Sequence, residues 1–276
     1  MTLDIPADLE ASVVLLRHGE SVFITEGRFQ GRADSPLSPL GERQAALAAS
    51  RLAAPDRSPA LPIAARPPLE IVHSPLRRAA TTASLAADAI AATSGARPPM
   101  RAEPGLSELA QGSWEGRQRA DIEANDGDVL AAWRRDPLAA NAPGGERVLD
   151  AAVRAGTALG SVIAQLSGGR PGDGANAAGE PVSTERAMVA GYPGATASDT
   201  PWTLLVGHDG IFKVVLLTLL GLPLERFWTF PFALCGLTVV EFRDGRGVLR
   251  AHNLVEHLAA LGSPSAEPPP PRAGAL

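Results

Sequence analysis

Three short runs in this 276-residue chain place histidine, arginine and glycine directly after apolar residues. The first is Val13-Val14-Leu15-Leu16 followed by Arg17-His18-Gly19-Glu20-Ser21. The second is Ile71-Val72-His73-Ser74-Pro75-Leu76-Arg77-Arg78, and the third is Leu204-Leu205-Val206-Gly207-His208-Asp209-Gly210. A short apolar run bounded by polar residues reads as a buried strand. In open α/β sheets, ligands collect where such strands end and helices begin. If the three strands are neighbours, two histidines and two or three arginines converge on one pocket.

Guanidinium groups bind the oxygens of an anion bidentately and offset the charge that builds up on a transferring phosphoryl group. A neutral imidazole, with an unperturbed pKa of about 6.5, is a competent nucleophile near neutrality. Together these groups fit phosphoryl transfer through a phosphohistidine. The departing oxygen still needs a proton donor, and a carboxyl with a pKa raised by burial would supply it. Glu108 is the foremost candidate because it lies in a glycine-flanked loop, Gly105 to Gly112, with Glu20, Glu103 and Glu115 as nearby rivals.

The elements that must position these residues follow from pattern. Strands are expected at 13–16, 69–73, 202–207, 236–242 and 248–252, and helices at 39–53, 75–93, 118–134, 146–166 and 210–220. Ser38-Pro39 and Ser74-Pro75 each offer an N-cap with proline at the first helical position, and Gly95 and Gly168 suit helix ends. The alternation implies an α/β three-layer sandwich, a mostly parallel central sheet with helices on both faces. Residues 1–11 read as a loose N-terminal tail, 12–262 as the folded domain, and 263–276 as a proline-rich disordered tail. The stretch 168–200, rich in Gly, Ala, Pro and Ser, reads as a flexible insertion, either a lid or disordered.

Composition narrows the function classes. Hydrophobic residues are 45% and charged residues 20%, a globular balance. A net charge of −5, from 25 basic and 30 acidic residues, argues against a nucleic-acid binder. Cys235 is the single cysteine, so no intrachain disulfide forms, and beside an apolar strand it reads as a buried structural thiol. The histidines lack metal-ligand spacing, and the chemistry above calls for no metal or other cofactor. The acidic N-terminus has no signal-peptide pattern, and the longest apolar stretch, 214–222, is about half what a bilayer requires. A cytoplasmic protein acting on a small phosphorylated metabolite, without membrane or nucleic acid, is the expectation. Oligomeric state stays open, a homodimer included.

The motifs also occur in a telling order. The chain resembles the histidine phosphatase superfamily, in the branch shared by phosphoglycerate mutases and small phosphatases. Arg17-His18-Gly19-Glu20-Ser21 resembles its RHG signature. The resemblance implies a phosphoglycerate mutase-like fold, with His18 as the phospho-accepting nucleophile and Arg17 as a phosphate ligand. The segment 27–41 is similar to the one that follows in the family, placing Gln30 and Gly31, with Ser21, at the substrate. Around Ser74 to Ala83, the resemblance implies Arg78 rather than Arg77 as the second phosphate-binding arginine. It makes Glu108 the proton donor and His208 the group that binds phosphate and stabilises the transition state, with Asp209 beside it. Asn253 and His257, in Asn253-Leu254-Val255-Glu256-His257-Leu258, resemble the family's C-terminal pair.

Two departures bear on specificity. Ile24 stands where the family often has asparagine, which removes a polar contact, and Asp209 stands where glycine is more usual. The added carboxylate would raise the pKa of His208 or repel an anionic substrate tail, depending on where it points. His73, His252 and His257 read as structural, Arg77 as solvated, and Trp133-Arg134-Arg135-Asp136 as a solvated basic turn. Pro143-Gly144-Gly145-Glu146 reads as turn and helix-start chemistry. A metal-independent phosphomonoesterase of the histidine phosphatase type is the leading expectation. A mutase returning the phosphoryl group to its substrate is the alternative, disfavoured by the compressed segment 133–146. A catalytically weak binding module is the third.

Overall fold

The computed structural model describes residues 3–168 and 200–262. The expected insertion, apart from its two end residues, and the C-terminal tail at 263–276 lie outside the described residues. One sheet holds six strands, β1 (Ala11–Arg17), β2 (Ile71–His73), β3 (Met100–Ala102), β4 (Trp202–Gly207), β5 (Leu237–Arg243) and β6 (Arg246–Leu254). Their spatial order is β3-β2-β4-β1-β5-β6. The pairs β2–β3, β2–β4 and β1–β4 are parallel, whereas β1–β5 and β5–β6 are antiparallel. The register sets Arg17 opposite Gly207 and His73 opposite Val206, so the three chemistry-bearing strands end flush.

Helices cover both faces, which is why the central strands read as unbroken apolar runs rather than alternating ones. On one face Val13, Leu15 and Leu205 pack with α6 (Val148–Gly168) and α7 (Asp209–Leu219), through Leu159, Ile163, Val214 and Val215. On the other, Val14, Leu16, Leu204 and Val206 pack with α2 (Pro39–Ala53) and α3 (Arg77–Ser94). Alanines 45, 48 and 49 of α2 face alanines 79, 83, 86 and 87 of α3 in that same core, and short side chains let the two helices pack closely. Each fully buried Val, Leu or Ile contributes about 1.5–3 kcal/mol, and β1 and β4 contribute such residues to both cores.

Several expectations need correction. The first eleven residues are not loose from Leu3 onward: Leu9 is buried, Leu3 and Ile5 pack on the core, and β1 begins at Ala11. The helix expected at 118–134 is two, α4 (Arg119–Asn125) and α5 (Gly127–Arg135). They part at Asp126, whose carboxylate accepts bonds from Trp114 Nε1 (3.2 Å) and Arg117 Nη1 (2.7 Å). Ser74 does not cap α3: Leu76 is the N-cap residue, with no side-chain cap bond, and the helix starts at Arg77. β3 was not expected, because three partly exposed residues carry no periodic signal.

The turn after β1 rests on the start of α2. Ser38 caps α2 by accepting from Gly41 N (3.0 Å), and its hydroxyl donates to Glu20 Oε1 (2.8 Å). The short helix α1 (Val22–Thr25) follows, capped by Ser21. A Cβ on Gly19 would strike the Gly41 carbonyl, and one on Gly41 would strike Glu20 backbone. The two segments therefore meet backbone to backbone. Helix propensity alone makes Gly41→Ala stabilising by up to about 1 kcal/mol. The close approach reverses the sign: Gly41→Ala should destabilise by about 1–3 kcal/mol, read as a lowered urea midpoint.

Candidate active site

His18 leaves β1 at the carboxyl edge of the sheet and is buried. Its Nδ1 lies 2.6 Å from the Gly19 carbonyl oxygen. A carbonyl only accepts, so Nδ1 carries the proton and Nε2 keeps its lone pair. His208, immediately before α7, packs against it with ring centroids 4.9 Å apart. Arg78 Nε donates to His208 Nδ1 (3.2 Å), which places the His208 proton on Nε2, donated to Ser74 Oγ at 2.8 Å. That bond explains why Ser74 is lost as a helix cap. Burial pushes both imidazoles well below their ordinary pKa, and the Arg78 and Arg17 charges push the same way.

Arg78 is buried, and its guanidinium also donates to the carbonyls of Ala33 (2.8 Å) and Gly31 (2.8 Å). Gly31 turns at φ +49 to present that carbonyl, and a Cβ there would strike Glu115 Oε1. Gly31 and the segment around it thus hold Arg78. Arg77, by contrast, is exposed, and its backbone N–H donates to Asp34. Gln30 is buried and accepts from the Ser21 hydroxyl. Ile24 is half-buried on α1, which follows directly on Arg17-His18-Gly19 and its turn.

Arg17 is braced from behind by the 232–236 turn. Its side chain donates to Phe232 O, its N–H to Gly236 O (3.4 Å), and its carbonyl accepts from Cys235 N (3.1 Å). Asn253 Oδ1 in turn accepts from Ala233 N (2.7 Å), and His257 Nε2 donates to Cys235 O (3.0 Å). Asn253 and His257 therefore brace the turn that holds Arg17. Cys235 is buried at φ 55, its thiol pushed up to about 12 by burial. Arg17 Nε is buried with no hydrogen-bond partner among the described residues, the kind of orphan donor that an anion satisfies.

Glu108 docks on the N-terminus of α7. Its Oε1 accepts from Leu109 N (2.9 Å) and Ile211 N (2.9 Å), and its Oε2 from Gly210 N (3.1 Å). Burial raises its pKa; the Leu109 bond pulls it back, the Asp209 charge raises it again, and the Gly210 bond and Arg78 lower it, for a net rise. The rivals are committed elsewhere. Glu103 caps its own turn and pairs with Arg101, Glu115 accepts from Arg32 N and Gln111 N, and Glu20 accepts from Ser38 and Thr25.

Asp209 is buried and paired with Lys213, one turn along α7. Its charge is thus turned to a cation on its own helix, and the pKa of His208 is lowered, not raised. Lys213 is the chain's only lysine, buried within an apolar helix, with Nζ over the rings of Phe227 (5.9 Å) and Trp228 (5.7 Å). Sequence reasoning passed over it, although a lone lysine inside an apolar helix was a signal. Trp133 is core, stacked edge-on with Trp114 and Trp228, while Arg135 is exposed. His73 Nδ1 donates to Ser74 O (2.8 Å), and His252 packs against Phe230 and Phe232. Among the described residues, no cluster of three or more His, Cys, Asp or Glu is placed to hold a metal ion. No described helix is long and apolar enough to cross a membrane.

An α/β sheet whose strand ends gather two neutral imidazoles, two guanidiniums and a buried carboxyl has the make-up of a phosphate-handling site. The family model of the histidine phosphatase superfamily, branch 1, matches residues 13–171 and 182–255, and the chain belongs to that superfamily. It is 32% identical over 216 residues to the glucosyl-3-phosphoglycerate phosphatase of Mycolicibacterium vanbaalenii, covering 78% of this chain and 76% of that one. It is 28% identical over 236 residues to the "Probable phosphoglycerate mutase GpmB" of Yersinia pestis, covering 84% and 85%. Among solved structures, the mycobacterial glucosyl-3-phosphoglycerate phosphatase in complex with VO3 is similar at a TM-score of 0.64 and 28% identity, over 88% of this chain and 98% of that one. The fold is shared with Bacillus stearothermophilus YhfR, at a TM-score of 0.67 and 22% identity, over 90% and 99%.

The two rings make a spectroscopic prediction. In 1H–15N spectra at pH 6.5, His18 should be neutral with its proton on Nδ1 and His208 neutral with its proton on Nε2. Unfolding below about pH 6.5 takes up protons that the folded rings refuse, so acidification removes stability. An imidazolium signal from either ring at pH 6.5 would overturn the assignment.

Proposed function

We propose that this protein is a phosphomonoester hydrolase that works without a metal, through a phosphohistidine on His18. The reading rests above all on the His18 ring, whose Nδ1 is tied to Gly19 O, leaving the Nε2 lone pair beside Arg17, Arg78 and His208. In the first step Nε2 attacks phosphorus in line, the phosphorus–ester oxygen bond breaks, and Glu108 gives its proton to the departing oxygen. In the second, water attacks the phosphorus, Glu108 takes a proton back, the phosphorus–nitrogen bond breaks, and orthophosphate leaves.

Positive charge surrounds the phosphoryl group throughout. Arg78 keeps one N–H on each terminal nitrogen beyond its three protein bonds, and Arg17 keeps its Nε–H. His208 holds Arg78 in place from below. Burial raises the pKa of Glu108, the direction an acid catalyst requires. The substrate is a small phosphorylated metabolite. The mycobacterial relatives favour a phosphorylated glycerate derivative such as glucosyl-3-phosphoglycerate. The Yersinia relative keeps phosphoglycerate mutase chemistry as the second reading.

Phosphate release from a panel of phosphomonoesters, assayed in excess EDTA, tests the proposal. The wild type should release orthophosphate and, on acid-free quenching, carry label on His18, whereas His18→Ala should do neither. Glu108→Gln should lower kcat on alkyl phosphates by about 10²–10⁴-fold. Isomerisation of phosphoglycerate without release would overturn hydrolysis in favour of the mutase, and activity that EDTA abolishes would overturn the metal-free mechanism.

A further inference from the structure

The loop that carries Glu108 is held by a charged clamp to which the chemistry above assigns nothing. Two arginines from distant parts of the chain converge on one carbonyl. Arg32 Nε donates to Glu108 O at 3.1 Å, and Arg154 Nη2 donates to the same oxygen at 3.2 Å. Arg154 Nη1 also donates to Gly105 O (2.8 Å). Like charges cannot share so small a space unaided. Glu146 separates them: its Oε1 accepts from Arg154 Nε (2.8 Å) and Arg32 Nη2 (2.8 Å), and its Oε2 from Arg154 Nη2 (2.8 Å). The Glu146 backbone N–H donates to Ala110 O (2.8 Å), so the same residue grips the loop beyond Glu108 as well.

We infer that Glu146 is a positioning residue for the proton donor. The inference rests on the assignment of Glu108 as general acid. Three carbonyls of the loop, at 105, 108 and 110, are fixed by Glu146 and the two arginines it binds. With the Glu108 backbone fixed, its carboxyl reaches the first N–H groups of α7 beside His208. Glu146 itself touches no part of the His18 cluster. Its role as a mere start to α6 falls short, since all three of its side-chain bonds run to arginines outside its own turn. Removing its charge leaves two guanidiniums facing each other, and at least one must withdraw from the Glu108 carbonyl. A displacement of about 1 Å at a catalytic group costs on the order of 10²-fold in rate.

Leaving-group dependence separates positioning of the acid from general damage. An alkoxide needs the proton of Glu108 as it departs, whereas a 4-nitrophenolate leaves without it. Glu146→Gln should therefore lower kcat/KM by about 30–100-fold on an alkyl phosphate such as glycerol phosphate. That ratio reports the steps up to leaving-group departure and not the later hydrolysis, in which Glu108 acts as base. On 4-nitrophenyl phosphate the loss in kcat/KM should stay within about 5-fold. Glu108→Gln, measured in parallel, should give the same selective pattern more strongly. Equal losses on both substrates, or none, for Glu146→Gln overturn the inference while a selective Glu108→Gln leaves the general acid standing. A Glu108→Gln loss that ignores the leaving group overturns the general acid and the positioning role with it. If Glu146→Gln does not fold, Arg32→Gln, at an exposed side chain, carries the same test with an expected selective loss of about 3–10-fold.

Discussion

The site depends on how one buried guanidinium is held. Arg78 is 1% exposed, and burying an unpaired cation costs several kcal/mol. Three acceptors offset that cost, the carbonyls of Gly31 and Ala33 and the Nδ1 of His208. Glu108 and Asp34 add favourable charge from further off, and the group stays ionised although burial lowers its pKa to about 10. Through those bonds Arg78 ties together three parts of the chain that share no local sequence. These are the segment after α1, the first turn of α3, and the residue that opens α7. The conformation of each is set partly by the need to face that cation, as the left-handed Gly31 illustrates.

Burial, reinforced by the same cation, decides what the histidines are. An imidazole beside two guanidiniums and away from water cannot take a proton cheaply, so both rings are neutral. Their partners then distribute the remaining protons. Gly19 O can only accept and Arg78 Nε can only donate, so the two rings adopt opposite tautomers. His18 is left with the lone pair on Nε2, and His208 with its Nδ1 lone pair taken up by Arg78 and its Nε2 proton by Ser74. Burial first, and then the Arg78 and Arg17 charges, keep His18 unprotonated, and those same charges favour an anion beside it.

What could be read from the chain follows how locally each feature is determined. Apolar runs and helix caps are local, and α2 at 39–53 and β4 at 202–207 occur where the pattern places them. The histidine and arginine runs end up together because β1, β2 and β4 pair in parallel with their ends flush, a neighbourhood that the pattern left as a condition. Ser74 looked like a cap and became a partner of His208, 134 residues away, because a buried imidazole N–H needs an acceptor more than an exposed helix start needs a cap. The Glu146 clamp was invisible for a related reason. Its bonds to Arg32 span 114 residues, and no spacing announces them. Asp126 ended a helix that propensity would have continued, through bonds to Trp114 and Arg117 that a local window does not contain.

Asp209 illustrates how a departure from the usual motif can be absorbed. A free carboxylate next to His208 would weaken an anion site. Here it is buried against Lys213, whose charge lies over two aromatic rings instead of facing water. The pair is neutral as a unit, so it takes little from the positive field of Arg17 and Arg78. Yet the two charges are not equidistant from everything. Asp209 directly precedes the N–H groups that hold Glu108, and its charge still raises the pKa of that acid. The chain's one lysine thus allows a carboxylate to sit close enough to raise the pKa of Glu108 while its own charge is offset within α7.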